Sequence, residues 1–174
     1  MIGKRPRWRH QAALTGHLVL STLHTNDAPS ALTRLVELGT PPYLISGTLL
    51  GVMAQRLVRT LCPHCREPAE PDAEEWNRMV QPFTSKVSER INRPVGCLEC
   101  RNTGFLGRTG LYELLRMSPA MHNLIGPECD TAEIRRQGLR EQMRPLRLAG
   151  ARKVAAGETT MAEVMRVTPS PEGH

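Results

Sequence analysis

An α/β fold, interrupted by a cysteine-stapled insertion and closed by a helical last third, is what this sequence predicts, and three observations carry the prediction. A short apolar run at Leu18–Leu23 opens into segments of helical period. Two Cys-x-x-Cys pairs, Cys62/Cys65 and Cys97/Cys100, bracket a polar stretch. From Asp130 onward, capping signals introduce one amphipathic segment after another.

Each element follows in order. Leu18-Val19-Leu20-Ser21-Thr22-Leu23 enters from Thr15-Gly16 and leaves through His24-Thr25-Asn26-Asp27, which reads as a buried strand running into a polar loop. Asn26 or Asp27 is placed to cap a helix with Pro29 in its first turn, Leu32, Leu35, Val36 and Leu38 on one stripe, and Gly39 as its stop. A second helix starts after Pro41-Pro42 and is expected to bury Leu44, Ile45, Leu49 and Met53. Arg56–Leu61 reads as a strand delivering the chain to Cys62, and Gly110–Leu115 as the strand that returns after Cys100. Glu67–Pro71 is a Pro-containing turn, and Asp72 with Glu75 resembles a capping box ahead of a short helix with Trp76, Met79 and Val80. Asp130 with Glu133 repeats that signal before Ile134, Leu139 and Met143. Pro145–Ala156 runs to a C-cap at Gly157, and Thr159-Thr160 begins a terminal helix through Met161, Val164 and Met165. Pro169–His174 reads as a loose tail.

The cysteines carry the chemistry. Two residues between paired thiols let one tight turn aim both sulfurs at a single ion, and two such pairs supply the four soft ligands of a tetrahedral zinc site. Pro63 presets a turn dihedral in Cys62-Pro63-His64-Cys65, and Gly96 admits close backbone approach beside Cys97-Leu98-Glu99-Cys100. Two separate redox motifs, or a disulfide in an exported protein, are the alternative uses of the same spacing. His64 is read as an exposed turn residue, although it could replace a thiolate, and Cys129 as a spare thiol. Four thiolates leave no coordination position open, so the expected role of zinc is structural. The 31 residues between Cys65 and Cys97 are too few to bury much core of their own, so zinc would close the mouth of a long hairpin.

Composition bounds the rest. The 174 residues are 40% apolar, 23% charged and 3% aromatic, with a net charge of +6. Four thiolates on one divalent ion would lower that charge by about two. No apolar run is long enough to span a membrane, and the basic start, Lys4, Arg5, Arg7 and Arg9, lacks the apolar segment of a signal peptide. Nucleic acid is allowed as a partner but not expected, because the arginines are spread along helices and stacking aromatics are few.

Four stretches in order carry a resemblance. Leu14-Thr15-Gly16-His17-Leu18-Val19-Leu20-Ser21-Thr22-Leu23-His24-Thr25-Asn26-Asp27-Ala28 resembles the histidine box of the ATPases that drive type II secretion and type IV pilus assembly. Ala54-Gln55-Arg56-Leu57-Val58-Arg59, Gly107-Arg108-Thr109-Gly110-Leu111-Tyr112-Glu113, and Gly157-Glu158-Thr159-Thr160 leading to Glu163–Thr168 match in the same order. The tetracysteine insertion is similar to the zinc-binding subdomain shared by the secretion and pilus-extension branches. The resemblance implies the C-terminal part of a truncated RecA-like P-loop ATPase core. Residues 12–61 would be partial core, 62–100 the zinc insertion, 101–168 the returning strand and helical subdomain, and 169–174 the tail. It implies a cytoplasmic homo-hexamer, peripheral to the inner membrane, that binds ATP and magnesium and works on an inner-membrane platform protein. It also implies that His17, His24, Thr25, Asn26 and Arg56 lie close to the nucleotide.

The sequence departs from that family in two places. No Gly-x-x-x-x-Gly-Lys-Ser/Thr loop occurs, so no cradle for the α- and β-phosphates can be assigned and the chain is not expected to hydrolyse ATP alone. The family's acidic segment before the histidine box is replaced by an aberrant basic start, residues 1–11, with no acid. A gene fragment, a frameshift or deletion across residues 4–10, and a short accessory protein are the three explanations, with fragment or lesion preferred. Nucleotide affinity is expected to be weak, and the apolar run Leu18–Leu23 is expected at an edge, lowering solubility. The alternative function is a stand-alone zinc-ribbon module that binds proteins or nucleic acid.

Overall fold

The computed structural model describes residues 12–169. The basic start at residues 1–11 and the tail beyond Pro169 lie outside the described residues. The described residues fall into two compact units: residues up to Met53 with Leu114–Met143, and Ala54–Glu113 with the chain from Arg144 onward.

Two long strands, β1 (Gly51–Leu61) and β4 (Phe105–Arg116), pair with each other. Leu50 carbonyl accepts from Met117 N–H at 3.1 Å, and Gly104 carbonyl from Cys62 N–H at 2.9 Å, so the strands run antiparallel. Both are longer than the periodicity predicts. β1 begins at Gly51 rather than Arg56, which moves Met53 out of the second helix into a strand, where it is exposed.

In the first unit, α1 (Pro29–Glu37) occupies the predicted segment, whereas α2 (Pro42–Thr48) starts where predicted but stops short of Leu49, which is extended. Asp27 Oδ1 accepts from Ser30 N–H at 2.9 Å, and Gly39 N–H closes the helix end on Val36 carbonyl. Ala31, Leu32 and Ile45 are buried, while Leu35, Val36, Leu38, Leu44 and Leu49 are half-buried. A short helix, α4 (Pro119–His122), and α5 (Thr131–Arg140) complete the unit, with α5 packed on α1. Asp130 caps α5 through Ala132 N–H, and Ile134 and Met143 are buried.

The strand expected at Leu18–Leu23 is not there. The run belongs to neither sheet of the described residues, Leu18 is 75% exposed and Leu20 88%. An apolar run becomes a buried strand only where neighbouring strands accept its backbone groups and a second layer covers its side chains. Neither sheet of the described residues does so.

In the second unit, the insertion contains a hairpin that the sequence reading takes for a turn. β2 (Glu67–Ala69) pairs antiparallel with β3 (Ile91–Arg93), Glu67 opposite Arg93 and Ala69 opposite Ile91. Pro68 suggests a turn but sits in a short strand with one open edge, where a missing N–H costs nothing. α3 (Ala73–Val80) is capped as predicted, Asp72 Oδ1 accepting from Glu74 N–H at 2.8 Å and Glu75 N–H at 3.2 Å. Trp76, Met79 and Val80 are buried against α6 (Leu146–Ala155) and α7 (Met161–Val167). The insertion thus borrows its core from the helical end of the chain, as its shortness requires.

Candidate metal centre

The first cysteine pair sits where β1 ends. Arg66 N–H donates to Cys62 carbonyl at 3.0 Å, closing one turn over Pro63-His64 and placing Cys65 beside Cys62. The second pair straddles a 3-10 turn, Leu98–Cys100, entered from extended Cys97 and left through the left-handed Arg101 and Asn102. Asn102 N–H donates to Cys97 carbonyl at 2.8 Å. Gly96 adopts φ +120°, and a Cβ there would stand 3.0 Å from Asn102 carbonyl, so the approach to Cys97 is open only to glycine.

The four sulfurs converge. All lie within 4.8 Å of one another, with Cys62–Cys97 at 3.9 Å and both Cys65–Cys100 and Cys97–Cys100 at 3.8 Å. A tetrahedron with metal–sulfur bonds of roughly 2.3 Å has edges of roughly 3.8 Å. A disulfide would bring two sulfurs to about 2.05 Å, and all five cysteines are free thiols, so the spacing suits a shared ion and not a bridge. The site passes the chemical test as well: the donor set is four thiols, with no oxygen ligand among them.

Backbone donors tune the set. Cys97 and Gly104 N–H groups each point at Cys100 Sγ at 3.2 Å, and Gly96 N–H points at Cys65 Sγ at 3.3 Å. Burial by itself would push Cys100 up, but the two N–H donors and the neighbouring thiols bring it down to about 6. Burial pushes Cys65 up to about 11, with the surrounding thiols adding to it and only the Gly96 N–H opposing. The four thiols titrate as one coupled set, and a bound cation would displace the protons they share. His64 is exposed on the turn, and Cys129 stands apart from the cluster.

A charged scaffold holds this lobe to the rest of its unit. Glu163, 3% exposed on α7, accepts from Arg59 Nη2 at 2.7 Å, Arg59 N–H at 3.1 Å and Arg166 Nη2 at 2.8 Å. These partners, Arg59 foremost, hold its carboxyl down at about 2. The Arg59 guanidinium also covers the Phe105 ring at 4.0 Å. Thr159 Oγ1 donates to Arg59 carbonyl at 2.8 Å, and Leu61 N–H to Glu158 carbonyl at 2.8 Å. Gly157 carbonyl takes both Arg66 Nη1 at 2.9 Å and Asn92 Nδ2 at 3.4 Å; with φ +69° and the Asn92 side chain where a Cβ would stand, the position requires glycine. Glu113, buried at the far side of β4, accepts from Leu146 N–H at the start of α6. The buried roles of Glu163 and Glu113 are not visible in the sequence reading, although both lie in stretches it singles out.

The remaining predicted positions are dispersed. His17 and His24 are exposed, Thr15 Oγ1 lies 3.1 Å from His17 Nδ1, and Thr25 Oγ1 donates to Asp27 carbonyl at 3.1 Å. Asn26 is exposed in the same segment, whereas Arg56, half-buried on β1, belongs to the other unit and reaches Gln55 carbonyl at 3.2 Å. No helix among the described residues is long and apolar enough to cross a membrane.

Comparison with known proteins draws these features together. The profile of the family described as type II/IV secretion system protein matches residues 8–166. The chain is 50% identical over 159 residues to the type IV pilus assembly ATPase TfpB of Acinetobacter baylyi, covering 91% of the chain and 27% of that protein. It is 48% identical over 160 residues to the type II secretion system ATPase E of Vibrio cholerae, covering 91% and 31%. To the type IV pilus assembly ATPase PilB of Thermus thermophilus it is 41% identical over 158 residues, covering 91% and 18%. The chain thus spans less than a third of the length of these relatives. Among solved structures it is similar to the ADP-bound pilus retraction motor PilT, with a TM-score of 0.57 and 22% identity, covering 98% of this chain and 39% of that one; this likeness shows an α/β fold of the ATPase type.

Proposed function

The chain belongs to the type II/IV secretion system protein family, and on that footing we propose that it is the zinc-bearing, C-terminal portion of a motor ATPase that powers type II secretion or type IV pilus assembly. The observation that carries the proposal is the convergence of four sulfurs within 4.8 Å inside a chain that matches such ATPases over 91% of its length. A match of that extent reaches far beyond the cysteine lobe, so the stand-alone zinc-ribbon reading is not favoured.

In this reading Cys62, Cys65, Cys97 and Cys100 hold one zinc ion, which supplies folding free energy to a lobe too small to stand alone. The ion has no open position and takes no part in the reaction. Residues 12–61 belong to a RecA-like core, 62–100 form the zinc insertion, and 101–168 carry the returning strand and helical subdomain. His17 and His24 face the terminal phosphates of ATP, Thr25 and Asn26 shape that stretch, and Arg56 supports the scaffold beside it. Their task is to place donors and positive charge where negative charge develops during phosphoryl transfer. No Gly-x-x-x-x-Gly-Lys-Ser/Thr loop occurs in these 174 residues, so the chain by itself is not expected to turn over ATP. The assembled motor is a hexamer on the cytoplasmic side of the inner membrane, working on a platform protein.

The test is a graft. Residues 8–166 replace the matching region of the Vibrio cholerae ATPase E, and the chimaera is assayed for ATP hydrolysis and zinc content. Retained hydrolysis with one zinc per chain is expected; a folded, zinc-loaded chimaera with no hydrolysis overturns the reading.

A further inference from the structure

The segment that follows His24 ends in a buried charge with two separate anchors. Asp27 is 2% exposed and Ala28 beside it fully buried. Asp27 Oδ1 accepts from Ser30 N–H at 2.9 Å, the first turn of α1, and Oδ2 accepts from Arg135 Nη2 at 2.7 Å. Arg135 lies 108 residues away in sequence, on α5, which packs along α1 with the Thr131 and Thr33 hydroxyls 3.2 Å apart. All of these residues belong to one unit.

Capping a helix needs only the first of these bonds, and asparagine or serine would serve as well as aspartate. A full negative charge at this depth is costly unless it is both hydrogen-bonded and paired. The pair therefore does something the cap does not: it fixes the segment against a second helix. Burial alone would push the Asp27 carboxyl up, but Ser30 and Arg135 together hold it below the usual carboxylate range, so the pair stays ionised at neutral pH.

We infer that Arg135 is a positioning residue which, through Asp27, sets where His24, Thr25 and Asn26 stand. The inference rests on the reading of those residues as nucleotide-proximal. His24 is three positions from the anchored carboxylate, so freedom at Asp27 becomes displacement at the imidazole.

The experiment uses both the chain and the grafted motor. In the active chimaera, Arg135→Ala is expected to lower kcat about tenfold with little change in KM, the signature of contacts made only in the transition state. Arg135→Lys should restore part of the loss, because it keeps the charge and loses the planar fork. Asp27→Asn keeps the Ser30 cap and weakens the charge pair with Arg135, so it should lower kcat in the same direction. In the chain itself, Arg135→Ala should speed amide exchange across His24–Ala28 while the amides of Gly96–Gly104 are unchanged. Unchanged kcat together with unchanged exchange at His24–Ala28 overturns the inference. Should Arg135→Ala fail to fold, Arg135→Lys and Asp27→Asn carry the same comparison, and wild-type values in both overturn it. An inactive parent graft would refute the functional reading instead, and the exchange measurement would still decide the positioning one.

Discussion

The cysteine lobe and the histidine stretch are both expected sites, yet the structure treats them differently. In the lobe, a turn at Cys62–Cys65 and a 3-10 turn at Leu98–Cys100 each fix one pair of sulfurs locally, and the two pairs meet within 4.8 Å. In the histidine stretch, His17 and His24 are exposed, and the apolar run between them belongs to neither sheet of the described residues. The lesson is one of range. Chemistry written into short turns needs only that the two turns meet; chemistry that hangs on a strand depends on a whole set of neighbouring strands.

The largest test of that contrast is Cys100→Ser, which removes the sulfur held by two backbone donors. Loss of a structural metal site costs on the order of 4 kcal/mol or more. Zinc per chain should fall toward zero by elemental analysis, exchange should rise from Glu67 to Val95, and Cys129→Ser should change neither. Equal zinc in both variants would sink the assignment.

Next in size is the Glu163 node that fastens β1 to α7. Its folded carboxyl lies at about 2, below the ordinary 4.5, so its contribution is fully present above about pH 4.5 and is lost as pH falls toward 2. The contribution is on the order of 3 kcal/mol. Glu163→Gln should flatten the acid limb of a stability profile followed by denaturant melts between pH 6 and 2. An unchanged limb would place the acid sensitivity elsewhere. Smaller again is Asp72→Ala, which deletes the cap of α3 and should cost about 1 kcal/mol without altering zinc content.

Smallest of all is Leu20→Ser. With Leu20 88% exposed, stability should stay within about 0.5 kcal/mol while solubility improves. A loss of about 2 kcal/mol instead would mean that the run is covered in solution, and the contrast between the two regions would close.

What the sequence reveals follows the same division. Cys-x-x-Cys spacing that brings sulfurs together, the caps at Asp72 and Asp130, and the short helix carrying Trp76, Met79 and Val80 are legible in the sequence, because each signal acts over a turn or two. The β2–β3 pair is missed: Glu67 and Arg93 meet across 26 positions, and Pro68 speaks for a turn. The early start of β1 is missed because Met53 fits a helical stripe as well as a strand. Leu18–Leu23 is misread for the opposite reason. Its composition says strand, but the run joins neither sheet of the described residues.

Trp76 has a further use. It is 2% exposed, its indole N–H donates to Ser85 carbonyl at 3.2 Å, and it lies where the insertion packs on α6 and α7. The only other tryptophan in the sequence is Trp8. With Trp8→Phe in place the protein carries a single tryptophan, selectively excited at the red edge of the absorption band and seated at the junction of lobe and helices. Its emission colour and quenching by iodide would then report, in real time and without a label, whether the lobe is docked as metal is added or chelated away.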